Sequence, residues 1–178
     1  LVQVANTVQD SIVDGPGLRF TVFTQGCPHF CPGCHNPETH DLAGGRDRSV
    51  EELTALMVKN PLTEGLTLSG GEPFLQAEAC ALLAKAAHAA GLNVWTYSGY
   101  TYEKLLEAGN PHWLALLGET DVLVDGPYLE EERSLTLPFR GSKNQRLIDV
   151  PNSLKAGRVI LWKGEAKGDL SHFSVPQS

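Results

Sequence analysis

Between Leu18 and Thr24 the chain reads Leu-Arg-Phe-Thr-Val-Phe-Thr, alternating apolar with polar or aromatic positions at the period of two that a strand requires. Leu66-Thr67-Leu68, Asn93-Val94-Trp95-Thr96-Tyr97 and Asp121-Val122-Leu123-Val124-Asp125 are further short runs, rich in β-branched and aromatic residues and bounded by turn formers. Arg158-Val159-Ile160-Leu161-Trp162 is a fifth strand candidate, and Arg146 to Val150 another. Between these runs the pattern turns helical. Ser49-Val50-Glu51-Glu52 has the form of a capping box and predicts a helix to about Lys59, where Asn60-Pro61 stops it. Pro73 suits the first turn of a helix through Phe74, Ala79, Leu82, Leu83 and Ala86 to a stop at Gly91. Tyr102 to Ala108 predicts another, closed by Gly109.

Strand alternating with helix argues a parallel α/β fold. The 178 residues suffice for one domain, 1–178, and no repeat, low-complexity tract or linker divides them. A full eight-fold barrel takes ~250 residues, so the expectation is an incomplete, splayed (β/α) barrel of five or six units with mostly parallel strands. Its functional groups should lie at the C-terminal ends of the strands. Four turn segments obey that rule: the one after Thr24, Ser69 to Glu72, Ser98-Gly99, and Asp125-Gly126 each follow a predicted strand directly. Asp14-Gly15-Pro16-Gly17 is a dense turn signal before the first of them and is assigned no chemistry.

Bulk properties narrow the field. Hydrophobic residues make up 42% of the chain, which excludes disorder, and a net charge of −7 gives no footprint for nucleic acid. No apolar run approaches the roughly 18 residues of a membrane span, and the start, Leu-Val-Gln-Val-Ala-Asn, lacks a basic region followed by an apolar one. A cytoplasmic protein is expected.

The candidate chemistry is concentrated in Gly26-Cys-Pro-His-Phe-Cys-Pro-Gly-Cys-His-Asn-Pro-Glu38, which puts Cys27, Cys31 and Cys34 within eight residues. Thiols that close, in a chain whose fourth cysteine is distant, form a metal or cluster site and not a disulfide framework. Two centres remain open from the loop alone. One is structural zinc completed by His29, His35 or His40. The other is an iron–sulfur cluster with three protein ligands, in which one iron stays free to bind a substrate, whereas an electron-transfer 4Fe–4S cluster is closed by four. Cys80 sits in a predicted helix beside Leu82 and Leu83 and reads as a small buried apolar residue.

Cys27-x-x-x-Cys31-x-x-Cys34 after an apolar strand resembles the cluster loop of the radical S-adenosylmethionine superfamily, and Ser69-Gly70-Gly71-Glu72-Pro73 resembles that family's Gly-Gly-Glu segment, in the right order. The resemblance implies a 4Fe–4S cluster on the three cysteines. It also implies S-adenosylmethionine chelated at the open iron and its reductive cleavage to a 5′-deoxyadenosyl radical. It places Gly33, His35 and Asn36 beside the adenosine, and Ser69, Gly70 and Gly71 at the methionine end. Glu72 reads equally as a ligand contact and as a helix N-terminal acid. Ser98 and Gly99 read as a ligand contact or a strand-end turn. Asp125, an acid ending a buried strand, is expected to face the sulfonium or a bound cation. One departure is Gly33, where most of the superfamily has an aromatic residue; Phe30 or His35 would have to lie against the adenine instead.

Cys34 to Thr39, Trp95 to Tyr100, Asp121 to Pro127 and Phe139 to Arg146 further resemble the activating enzymes of anaerobic ribonucleoside-triphosphate reductase. That likeness implies a protein substrate, a glycine of the large reductase subunit, and a low-potential electron donor such as flavodoxin. It gives Arg140 to Arg146 either a contact with that glycine loop or a place on the solvated surface. The rival readings are an activase of another glycyl-radical enzyme, of the pyruvate formate-lyase type, and a non-enzymatic zinc-binding module.

Overall fold

The computed structural model describes residues 2–12, 15–26, 46–127, 139 and 144–163. In chain order these form β1 (Val2–Ser11), β2 (Arg19–Thr24), β3 (Arg46–Arg48), α1 (Val50–Met57), β4 (Gly65–Gly70), a 3₁₀ turn over Pro73–Gln76, α2 (Ala77–Ala89), β5 (Asn93–Tyr97), α3 (Tyr102–Glu107), α4 (Pro111–Gly118), β6 (Val122–Asp125), β7 (Arg146–Asp149) and α5 (Val150–Ala156). The strands make one mixed sheet in the order β3-β1-β2-β4-β5-β6-β7. Its centre, β2-β4-β5-β6, is parallel; β1 and β3 on one flank and β7 on the other run antiparallel to their neighbours.

Local signals start the helices. The Ser49 side chain accepts from the Glu52 N–H at 2.9 Å, Thr101 caps α3, and Asn110 accepts from His112 and Trp113 with Pro111 in the first turn of α4. The period of two then decides which face each strand side chain takes. Phe20, Val22, Leu66, Leu68, Val94, Leu123 and Ile148 pack with Leu53 and Met57 of α1, Leu83 and Ala87 of α2, and Leu116 and Leu117 of α4. All are fully or almost fully buried, and this is the main core. Trp95, Val122 and Val124 lie in a separate cluster with Tyr97, Leu147, Phe139 and Trp162. The Trp95 ring meets Phe139 and Trp162 edge-on at centroid distances of 5.2 and 4.9 Å.

Arg19 closes this second face at the N-terminal end of the strands. It is fully buried, donates from Nε to Thr67 Oγ1 at 2.7 Å and from Nη1 and Nη2 to the Pro16 and Leu66 carbonyls at 2.9 Å, and lies 5.6 Å above the Trp95 ring. Gly15 has a structural reason, because a Cβ there would stand 2.7 Å from Arg19 Nε.

Several elements differ from their sequence reading. Residues 158–162 are not a strand: Leu161 forms an isolated antiparallel bridge with Ile148, flanked by Asp149 N–H to Ile160 O and Trp162 N–H to Leu147 O, both at 2.8 Å. That segment covers the outer edge of β7, an edge otherwise open to pairing. β7 itself is a strand, antiparallel to β6. The helix at Pro73 opens as a 3₁₀ turn and becomes α-helical at Ala77, and β1 and α4 were not anticipated. Among the described residues no helix is long and apolar enough to cross a membrane.

Candidate active site at the C-terminal rim of the sheet

Parallel strands align their C-terminal ends, and here the register brings the sequence-predicted turns side by side. Thr24 of β2 pairs with Gly70 of β4, and Thr96 and Tyr97 of β5 with Leu123 and Val124 of β6. Gly26 follows β2 and directly precedes Cys27. Cys27, Cys31 and Cys34 lie outside the described residues, as do Gly33, His35 and Asn36; so does Phe30. Among the described residues no group of His, Cys, Asp and Glu could hold a metal ion.

The β2 and β4 ends are fastened by backbone bonds. The Gly71 N–H donates to Thr24 O and the Glu72 N–H to Gly26 O, each at 2.8 Å, and Thr24 Oγ1 donates to Ser69 O at 3.1 Å. Both glycines are required by space. A Cβ on Gly71 would overlap the Gly26 carbonyl oxygen, and one on Gly70, which has φ of +94°, would stand 2.6 Å from the Thr24 nitrogen. Within the chain both glycines make a close approach to the backbone that leads into Cys27.

Glu72 joins this pair to the end of β5. Its carboxylate is fully buried and accepts from Phe74 N–H at 3.1 Å and Ser98 Oγ at 2.9 Å on Oε2, and from Gly99 N–H at 2.8 Å on Oε1. Capping Phe74 is the local role the sequence allowed for Glu72, and the bonds across to the end of β5 were not anticipated. Ser98 in turn accepts from Tyr100 N–H at 3.0 Å, and the Ser98 N–H donates to Val124 O at 2.9 Å. The Gly126 N–H donates to Tyr100 O at 3.1 Å, so the arc continues to the end of β6.

Asp125 is 1% exposed, and its carboxylate is occupied within the chain. Oδ2 accepts from Tyr102 N–H at 2.8 Å and from Arg146 Nη2 at 2.5 Å; Oδ1 accepts from Arg146 Nε at 3.1 Å. Arg146 also reaches Glu103 at 2.7 and 3.2 Å. Within the chain the cation that Asp125 faces is Arg146 of β7, which explains how a buried strand can end in an acid. The hydrogen bonds that Arg146 donates to Asp125 and Glu103 push its pKa upward, and the bond to Glu103 lowers that of Glu103. Arg146 had been grouped with a loop read either as a partner contact or as solvated surface; residues 140–143 of that loop lie outside the described residues.

Two further groups support the rim and were missed. Gln76 accepts from Gln3 N–H at 2.6 Å and donates to the Gln3 and Gln25 carbonyls at 2.8 and 3.1 Å, tying β1 to the segment before Cys27. Tyr97 donates its hydroxyl to Phe139 O at 2.6 Å. Neither contact has a local signal, because each partner is remote in sequence. Cys80 is fully buried in α2, and its pKa is pushed up to about 12, by burial first and by the nearby Glu72 charge second. It stays a thiol, as its reading as a core residue requires.

The family described as the 4Fe-4S single cluster domain matches residues 13–148. The anaerobic ribonucleoside-triphosphate reductase-activating protein of Vibrio cholerae is 35% identical over 145 residues, covering 75% of this chain and 89% of that protein. Its namesake in Escherichia coli is 32% identical over 145 residues, covering 75% and 90%. The pyruvate formate-lyase-activating enzyme of Staphylococcus epidermidis is 31% identical over 171 residues, covering 92% of this chain and 64% of that enzyme.

Proposed function

The chain belongs to the 4Fe-4S single cluster domain family and to that of the anaerobic ribonucleoside-triphosphate reductase-activating proteins, and from that membership we propose that it is a radical S-adenosylmethionine activase of a glycyl-radical reductase. The observation that carries the proposal is the hydrogen-bonded arc of Gly26, Gly70 to Glu72 and Ser98-Gly99 along the C-terminal ends of parallel strands, with Cys27 the next residue after Gly26.

The donor set fits a site-differentiated cluster: Cys27, Cys31 and Cys34 would ligate three irons and leave the fourth open. Held by Cys27, Cys31 and Cys34, such a cluster would supply one electron, drawn from a low-potential donor such as flavodoxin, for cleavage of a carbon–sulfur bond of S-adenosylmethionine to methionine and a 5′-deoxyadenosyl radical, which would take hydrogen from a reductase glycine.

This chain's own part is placement and exclusion of water. Gly70 and Gly71 bring the methionine-binding turn against the backbone that leads into the cluster loop. Gly33, His35 and Asn36 would border the adenosine, Ser69 the methionine end, and the Ser98-Gly99 turn the side between them. We read the four parallel strands as the wall of an incomplete (β/α) barrel, a single domain in the cytoplasm. A barrel left incomplete in this way would be open at its side, and a protein loop would enter there. That geometry supports a macromolecular substrate, the large subunit of anaerobic ribonucleoside-triphosphate reductase, over a small one.

The test is anaerobic reconstitution followed by iron and sulfide analysis, 5′-deoxyadenosine formation with dithionite and S-adenosylmethionine, and electron spin resonance after adding the reductase. About four irons per chain, cleavage, and a glycyl doublet on the reductase are expected. A doublet only on pyruvate formate-lyase would shift the substrate, and one zinc with no cleavage would overturn the reading.

A further inference from the structure

Three consecutive carbonyls lead the chain into Cys27, and one short segment, Gly71 to Gln76, binds all three. The Gly71 N–H donates to Thr24 O and the Glu72 N–H to Gly26 O, each at 2.8 Å, and Gln76 Nε2 donates to Gln25 O at 3.1 Å. The first two contacts come from the β4 side. Gln25 turns its peptide groups the other way, its N–H donating to Gln3 O of β1 at 2.9 Å. The 3₁₀ turn Pro73–Gln76 crosses the end of β2 and delivers Gln76 to that side. There Gln76 engages β1 as a neighbouring strand would: Oε1 accepts from Gln3 N–H at 2.6 Å and Nε2 donates to Gln3 O at 2.8 Å. Gly26, at φ of +100°, then takes the backbone out of the strand conformation.

We propose that Gln76 is a positioning residue for the iron–sulfur cluster. It completes a three-point clamp on residues 24–26 and so fixes the peptide from which Cys27, the first cluster ligand, follows. The inference rests on the proposed cluster. Gly71 and Glu72 hold the lead-in from one side only, and a peptide held from one side can still pivot about those two bonds. The bond from Gln76 to Gln25 O, made from the opposite side, removes that freedom. The task calls for an amide, because the side chain must offer one acceptor, to Gln3 N–H, and two N–H groups, to Gln3 O and Gln25 O, at the same tip. A glutamate of the same length keeps the bond from Gln3 N–H but sets a carboxylate oxygen against two carbonyls, and an alanine removes all three bonds.

The test compares wild type with Gln76→Glu and Gln76→Ala after anaerobic reconstitution, with S-adenosylmethionine absent. Transfer of iron to an excess of chelator should run about fivefold or more faster in both variants, the scale of one hydrogen bond to a buried carbonyl. The electron spin resonance g values of the dithionite-reduced cluster should shift, since a thiolate held differently alters the iron it ligates. In the metal-free protein, hydrogen exchange at the Gln25, Gly71 and Glu72 amides should accelerate by a similar factor. The Asp121 and Val150 amides, bonded to Val94 O and Asp121 O at the opposite end of the strands, should keep wild-type rates. Gln76→Ala serves if Gln76→Glu does not fold. Iron transfer at the wild-type rate overturns the inference. So does faster transfer with wild-type g values, which leaves Gln76 a structural bond alone, and so does acceleration at every amide, which is a loss of global stability. A wild type that takes up no iron overturns the proposed function, and the inference with it.

Discussion

Arg146→Met leaves the Asp125 carboxylate buried without its cation, and the cost can be worked from the contacts. Removing one partner of a buried ion pair costs about 3–5 kcal/mol. Two features lower that figure. The Arg146 side chain is 33% exposed, so part of its field is already screened, and Asp125 keeps the N–H donors of Tyr102 and of residue 146 itself. About 2–3 kcal/mol remains, or about 4–12 °C of midpoint at about 2–4 °C per kcal/mol for a chain of this size. Glu103→Gln removes only the outer partner, which is 61% exposed, and should cost less than about 1 kcal/mol. Adding Asp125→Asn to Arg146→Met should return at least about 1 kcal/mol, because the uncompensated charge goes with it. Anaerobic thermal denaturation followed by circular dichroism, at equal iron content and without S-adenosylmethionine, measures all four. If Arg146→Met melts within about 2 °C of wild type, Asp125 is not balanced by Arg146, and its role as the counter-charge of a bound cation has to be reinstated.

Gly71→Ala should destabilise by about 1–3 kcal/mol in urea unfolding, as overpacking against rigid backbone does, and should shed iron faster on desalting, because the new Cβ overlaps the Gly26 carbonyl ahead of Cys27. Equal iron retention would show that the β2–β4 contact does not support the cluster loop. Cys80→Ala should leave iron per chain unchanged, and iodoacetamide should label Cys80 only after unfolding, since burial holds it as a thiol; native labelling would contradict its placement. His88 bridges Glu119 and Asp121 at 2.9 and 2.8 Å. Burial works to lower its pKa, but the hydrogen bonds and charges of the two carboxylates outweigh it and raise it above 6.5. A raised folded pKa stabilises fully below the unfolded value and is lost as pH rises through the folded one. Wild type should therefore lose stability relative to His88→Asn between pH 6 and pH 8.5, and parallel profiles would refute the bridge.

The parts of this fold legible in the sequence are those in which one face of an element is buried uniformly. β2, β4, β5 and β6 each lie inside the sheet with at least three buried residues, and their period or β-branched content gave them away. β1 did not, since it is buried at Val2, Val4 and Ser11 only and its register with β2 shifts after Val4 and after Val8. A bulged flank strand does not keep a clean alternation. For α4 the Asn110-Pro111 start signal was present and overlooked. The reverse failure, at 158–162, came from an apolar run that reads as a strand but closes an edge through a single bridge.

At the candidate site the same division follows from where each partner comes from. Cys27, Cys31 and Cys34, and Gly70 with Gly71, are legible because their chemistry depends on spacing within one segment. The meaning of Asp125, Glu72 and Ser98 depends on groups 21, 27 and 26 positions away, and no local pattern reports those distances. A buried acid needs a cation, and within the chain Asp125 meets one that the sequence reading did not name, Arg146. A cation 21 residues on can reach it only because β7 turns back antiparallel beside β6, setting Arg146 opposite Asp125. An antiparallel strand closing a parallel sheet thus does two things here. It ends the run of βα units after four parallel strands, and it supplies from its first residue the charge that lets the last of them finish in a carboxylate at the rim of the site. The arc of turns from Gly26 to Gly126 is then fastened at both ends by the chain itself, so ligand binding need not supply the energy to assemble it.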